Sequence, residues 1–161
     1  MSQPGVIDGL QFARGAQAVR GVLGIERLPR LAELQGATES LAFGVRGGMR
    51  DDGKPCLWIS VSGELRLVCQ RCLGQLIFPL SIDVELALTE DAREIEEAED
   101  GVDRVLATRA MSVAQLVEDE VLLALPMVPR HERCSARMPA GTGSNASPFS
   151  VLTELKRRTG R

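Results

Sequence analysis

Ile82, Val84, Leu86 and Leu88 alternate with Asp83, Glu85 and Ala87, and this period of two constrains the fold more than any other stretch. Successive side chains on a strand point to opposite faces, so the run sets one face on a core and the other in water. The segments from Glu39 to Arg46, Leu57 to Gly63, Leu65 to Gln70 and Leu76 to Leu88 are rich in Val, Ile and Leu and read as strands. Gly47 with Gly48, and Asp51 and Asp52 with Gly53, mark turns between them. The pattern predicts an α+β fold built on an antiparallel, partly barrel-like sheet.

Helical signals flank this centre. Residues 8–20 and 27–35 read as short N-terminal helices; in the second, Leu28, Leu31 and Leu34 recur every three residues and Pro29 suits a first turn. The spacing predicts a long covering helix over 112–125. Ser112 and Gln115 stand in capping-box positions, and Val113, Leu116, Val117, Val121 and Ala124 fall on one face. Pro126 and Pro129 end it. Residues 1–138 are expected to form a single domain. Beyond it, residues 139–161 read as a flexible linker rich in Gly, Ser and Thr followed by a short basic helix.

A chain of 161 residues, 44% of them hydrophobic, is long enough to bury one sizeable core. Its longest apolar run, Val121 to Val128, contains Pro126 and falls far short of the ~20 residues that span a bilayer. The first residues carry neither a basic region nor an apolar stretch of the secretory kind, so a cytoplasmic location is expected. In that compartment four cysteines point to thiols, metal ligation or packing rather than a disulfide framework. Cys56, followed by Leu57 and Trp58, reads as a buried strand residue.

Cys69 and Cys72 form a Cys-x-x-Cys pair whose thiolates can face one metal ion. His131 and Cys134 can supply two further tetrahedral positions. Gly74 would ease the tight turn, and joining segments so far apart would restrict the unfolded chain. Three thiolates, one imidazole and Zn2+ leave one net negative charge, which Arg71, Arg130 and Arg133 are placed to offset. The pair can equally sit at a hairpin without metal, and the sequence leaves both readings open.

Three phrases, Cys69 to Cys72, Val117 to Pro126 and Ser147 to Arg158, resemble a proteobacterial member of the YceD family. The resemblance reaches from residue 8 to residue 158, with Arg14 and Leu28 to Leu34 fitting its less distinctive front part. It implies a part in accumulation of 23S ribosomal RNA, and so in large ribosomal subunit biogenesis, with no established catalytic residue. More distant members of the family carry additional paired cysteines downstream, which this sequence lacks.

Net charge of −3 hides a partition: residues 83–121 carry thirteen acidic and three basic groups, and residues 122–161 seven basic and two acidic. The block from Glu90 to Asp100 reads as a solvated loop. Glu118, Asp119 and Glu120 point in directions about 100° apart on a helix and cannot all face one ion. They read as a solvent edge, or as partners for a ribosomal protein or for an arginine of this chain. Lys156, Arg157, Arg158 and Arg161 form a basic cluster suited to phosphate, and Arg66 and Arg71 near the cysteine pair extend the expected RNA or partner contact. With 3% aromatic residues, one Trp and no Tyr, a surface that stacks bases on aromatic rings is not expected.

The expected function is a non-enzymatic factor supporting synthesis, processing or stability of 23S ribosomal RNA. Its expected partners are ribosomal RNA or a large-subunit assembly component, with no DNA and no membrane. The alternative is a zinc- or thiol-dependent enzyme using the Cys-x-x-Cys pair. A hydrolase would need an open metal position, and a thiol oxidoreductase a helix N-terminus beside the cysteine; neither pattern accompanies these ligands.

Overall fold

A computed structural model describes residues 5–33, 40–98 and 101–134. In chain order the elements are β1 (Val6–Ile7), α1 (Gly9–Arg14), β2 (Ala18–Gly24), a 3-10 turn (Ile25–Arg27), α2 (Pro29–Glu33), β3 (Ser40–Met49), β4 (Pro55–Val68), β5 (Gln75–Thr89), α3 (Ala92–Glu96), β6 (Arg104–Leu106), β7 (Met111–Ser112) and α4 (Val113–Ala124). Five strands form one sheet in the order β2-β3-β4-β5-β6, antiparallel except for the parallel β5–β6 pair, and β1 pairs with β7 separately. The fold is α+β. Among the described residues the sheet is open: its edge strands β2 and β6 do not pair, so no barrel closes.

The alternation seen in the sequence sets the core. Leu41, Phe43 and Val45 of β3, and Leu57, Ile59, Val61, Leu65 and Leu67 of β4, are buried on one face. Val113, Leu116, Val117 and Val121 of α4 join them in the same cluster. Ser112 caps α4, its hydroxyl accepting from the Gln115 N–H at 3.3 Å. Leu125 then turns extended before Pro126, as the residue before proline favours. The helix has twelve residues, about 18 Å at 1.5 Å per residue. It packs on β4 and β5 and does not roof the sheet as a long covering helix would. Ala124, expected on its buried face, is exposed in the last turn.

Other expectations need correction. The helix read over 8–20 stops at Arg14, and residues 18–24 are strand β2, where Val19, Val22 and two glycines suit an extended edge better than a helix. Gly47 and Gly48 do not turn the chain; they lie inside β3. A Cβ on Gly47 would stand 2.5 Å from the Phe12 carbonyl oxygen, so its bareness admits α1 against the sheet. The turn is at Arg50 to Lys54, where the Arg50 N–H donates to the Lys54 carbonyl at 2.8 Å and Gly53 takes φ +78°. The two strand-like runs either side of Glu64 are one strand, continuous through Gly63, which pairs with Leu80.

The acidic block is not wholly a loop. Asp91 caps α3 by accepting from the Arg93 N–H at 2.9 Å. Glu118, read as a solvent edge, is buried. Its carboxylate accepts from the Arg30 N–H at 2.7 Å, the Leu31 N–H at 3.1 Å and the Arg30 Nε at 3.0 Å. It thus satisfies the first turn of α2 across the core, and the arginine of this chain is its partner. The linker and basic helix expected over 139–161, including Lys156, Arg157 and Arg158, lie outside the described residues. Among the described residues, no helix is long and apolar enough to cross a membrane.

Candidate metal centre

β4 and β5 form the longest hairpin, and its far end is the Cys-x-x-Cys turn. The Cys69 N–H donates to the Gly74 carbonyl at 2.9 Å, and the Leu73 N–H returns to the Cys69 carbonyl at 2.9 Å. Leu73, not Gly74, adopts the left-handed conformation, at φ +57°. For a residue with a side chain this costs about 1–2 kcal/mol. The segment after α4 crosses this turn, held where the Gln70 N–H donates to the Pro129 carbonyl at 2.8 Å. That crossing carries His131 and Cys134 to the cysteine pair.

The four candidate ligand atoms lie within 4.8 Å of one another. Cys69 Sγ is 3.7 Å from Cys134 Sγ, and Cys72 Sγ is 3.4 Å from His131 Nδ1. Tetrahedral zinc, with bonds of about 2.3 Å to sulfur and about 2.0–2.1 Å to nitrogen, separates two sulfurs by about 3.8 Å and sulfur from nitrogen by about 3.5 Å. The donor set fits such an ion in type and spacing. The 3.7 Å gap is far beyond a disulfide bond of about 2.05 Å, and all four cysteines are free thiols.

The surrounding groups orient the donors. His131 Nε2 lies 2.9 Å from the Gln75 carbonyl oxygen, which only accepts, so Nε2 carries the proton and Nδ1 keeps its lone pair toward the cysteines. Arg71 Nε donates to Cys134 Sγ at 3.1 Å and its Nη2 to the His131 carbonyl at 2.8 Å. Arg71, expected at an RNA or partner contact, thus spends its guanidinium within the centre. Burial opposes ionisation of Cys69, but the converging backbone N–H groups of Cys72, His131 and Arg71 overcome it and hold the thiol down to about 5. At Cys72 the Gly74 N–H favours the thiolate, yet burial and the neighbouring sulfurs outweigh it and raise the pKa. Cys69 is thereby prepared as a thiolate ahead of Cys72.

Residues 57–156, more than half of the chain, match the family described as "Large ribosomal RNA subunit accumulation protein YceD". The chain belongs to the YceD family. No curated protein and no solved structure matches it. The family match holds all of β4 but its first two residues, together with β5, α4 and all four candidate ligands, whereas β1 to β3 precede it. The family ties this chain to accumulation of large-subunit ribosomal RNA.

The sequence named the four donors but not what orients them. His131 takes its direction from a backbone carbonyl at Gln75, which no side-chain pattern reveals. Nor does residue type disclose that Arg71 turns back on Cys134, since an arginine beside a cysteine pair reads equally as a surface charge.

Proposed function

We propose that this YceD-family chain is a cytoplasmic, non-enzymatic factor in large ribosomal subunit biogenesis, supporting synthesis, processing or stability of 23S ribosomal RNA. Its partner is ribosomal RNA or a large-subunit assembly component. Cys69, Cys72, His131 and Cys134 hold a structural Zn2+ that pins the segment after α4 to the β4–β5 turn. The observation that carries this reading is the convergence of three sulfurs and one oriented imidazole within the family's matched region. Four protein donors fill a tetrahedral shell, whereas catalytic zinc keeps one position open for water or substrate. The role of the ion is therefore to hold the clamp, with Arg71 offsetting the excess negative charge.

Depletion of the protein is expected to lower the ratio of 23S to 16S ribosomal RNA and the yield of mature large subunits, with rescue by the wild-type chain but not by a Cys69→Ser, Cys72→Ser double variant. An unchanged ratio after depletion would contradict the ribosomal role. Rescue by a zinc-free double variant would contradict the need for the clamp. Replacing Lys156, Arg157 and Arg158 by Ala is expected to weaken association with ribosomal RNA in a salt-dependent way; unaltered association would remove that cluster from the account.

A further inference from the structure

The outer face of the sheet carries a second constellation, at the opposite end of the β4–β5 hairpin from the cysteines. A cavity of about 400 Å³ opens there, its lining including Arg20, Gly44, Arg46, Trp58, Ser60 and Asp83. The strand register sets Arg20, Gly44, Ser60 and Asp83 in one row across four strands. At ~4.8 Å per strand the row spans about 14 Å. Gly44 adds no side chain to the row, and Ser60 Oγ and Arg20 Cγ lie over it, 2.9 and 3.6 Å from where a Cβ would stand.

Arg46 and Trp58 pair in the adjoining row, with Arg46 Cζ 4.2 Å from the indole centroid. The ring is fixed on two sides. Trp58 Nε1 donates to Glu85 Oε2 at 3.1 Å, Arg50 holds the other Glu85 oxygen, and the ring rests on Gly48, where a Cβ would be 2.5 Å from Cζ3. The relay from Arg50 through Glu85 and Trp58 thus orients the Arg46 guanidinium, so a ligand need not order it on arrival. Arg46 has an aromatic partner rather than a carboxylate, and Arg20 and Asp83 form no ion pair among the described residues.

The geometry points to a binding site for one nucleotide unit of single-stranded RNA: phosphate between Arg20 and Arg46, base stacked on the Arg46 guanidinium, and the base's N–H edge toward the Asp83 carboxylate. This rests on the ribosomal RNA reading above. Two arginines beside the Ser60 hydroxyl suit a phosphate, and the volume lies within the range of small-ligand sites. Asp83 only accepts hydrogen bonds and repels phosphate, so it fixes the direction of the ligand. Guanine offers it two adjacent N–H donors on its pairing edge. A duplex offers neither an unstacked base face nor a free edge, which makes a single strand the fitting substrate class. Glu85 adds a second carboxylate to the lining, so no long basic track exists here. Contact with one phosphate predicts a shallow salt slope, about −0.7 in log–log form.

Trp58 is the sole tryptophan of the chain and reports on this cavity directly. The full chain is titrated with a single-stranded RNA hexamer containing one guanine, the same hexamer with adenine in its place, the hexamer as a duplex, and GMP alone. The guanine hexamer is expected to quench Trp58 saturably, with the adenine hexamer weaker and the duplex silent. Binding should weaken about tenfold or more in an Arg20→Ala, Arg46→Ala double variant. Asp83→Asn should abolish the preference for guanine. Circular dichroism and the thermal midpoint check that these exposed-face variants stay folded. Equal affinity in wild type and folded double variant, or no response to the guanine hexamer, overturns the site. Quenching by GMP with a silent hexamer overturns the RNA assignment in favour of a free nucleotide. A normal 23S level in cells carrying the double variant, where depletion lowers it, overturns the site while leaving the ribosomal reading in place; no effect of depletion itself counts against that reading.

Discussion

The two ends of the β4–β5 hairpin solve different problems with different chemistry. At the far end, four donors from segments about sixty residues apart in sequence meet in a cluster whose polar groups are turned inward on one another. At the near end, Arg46, Trp58, Ser60 and Asp83 belong to three neighbouring strands and face outward into a cavity. The first arrangement closes the chain on itself, and the second leaves Arg20, Arg46 and Asp83 without ion-pair partners among the described residues, open to something else. The difference separates groups that hold the fold from groups that the fold holds out.

Disrupting the clamp should have the largest effect. Cys69→Ser, or removal of zinc by a chelator, is expected to lower the thermal midpoint by about 10 °C or more, because an ion bound far above its dissociation constant stabilises only the folded state. Trp58 fluorescence in the still-folded fraction should be little altered, since the two ends share strands but no side-chain contacts. A smaller change in the midpoint than that from any outer-face substitution would break the comparison.

Acid should attack the same end. The Cys69 pKa is lowered to about 5, below the ordinary thiol value, so the unfolded chain holds a proton there that the folded one has released. Stability from this group is therefore fully present above the ordinary thiol range and is lost as pH falls through about 5. Protons also compete with metal for thiolates, so zinc release monitored with a chromophoric chelator should rise steeply on acidification toward pH 5. Release independent of pH between 7 and 5 would contradict a thiolate clamp.

Glu118 calibrates both ends from the opposite side of the sheet. Glu118→Ala leaves two backbone N–H groups of α2 without their acceptor, and is expected to cost about 2–4 kcal/mol in denaturant unfolding without loss of zinc. A neutral result would mean that water replaces the carboxylate. The smallest effect belongs to Gly48→Ala, whose methyl meets the Trp58 ring. A cost of about 1–3 kcal/mol is expected, with a shift of the Trp58 emission maximum and weaker RNA binding. Unchanged emission would show that the ring is not seated on Gly48.

The four-donor cluster is legible in the sequence because metal ligation uses particular residue types at short spacings, and Cys69, Cys72, His131 and Cys134 offer them in two local pairs. The outer site is not. It depends on register: Arg20 meets Gly44, and Arg46 meets Trp58, only once β2, β3 and β4 are aligned. A low aromatic content argued against a stacking surface, and it does argue against an extended one, but a single Trp beneath an Arg has no composition signal. Gly47 and Gly48 were legible as glycines and misread as a turn, because close approach of α1 and of the indole ring is a tertiary demand. The same holds for Glu118, whose burial follows from α2 arriving over α4. Strand periodicity, by contrast, located the hairpin that carries both sites.

In the function proposed, residues 69–72 and 131–134 form a closed zinc clamp. Elemental analysis of the protein, purified without added histidines or chelators, tests it most directly, alongside Cys72→Ser and His131→Ala variants. Close to one zinc per chain is expected in the wild type, with loss of zinc in both variants. A folded wild-type chain without zinc under reducing conditions, or full zinc retained in both variants, would contradict it.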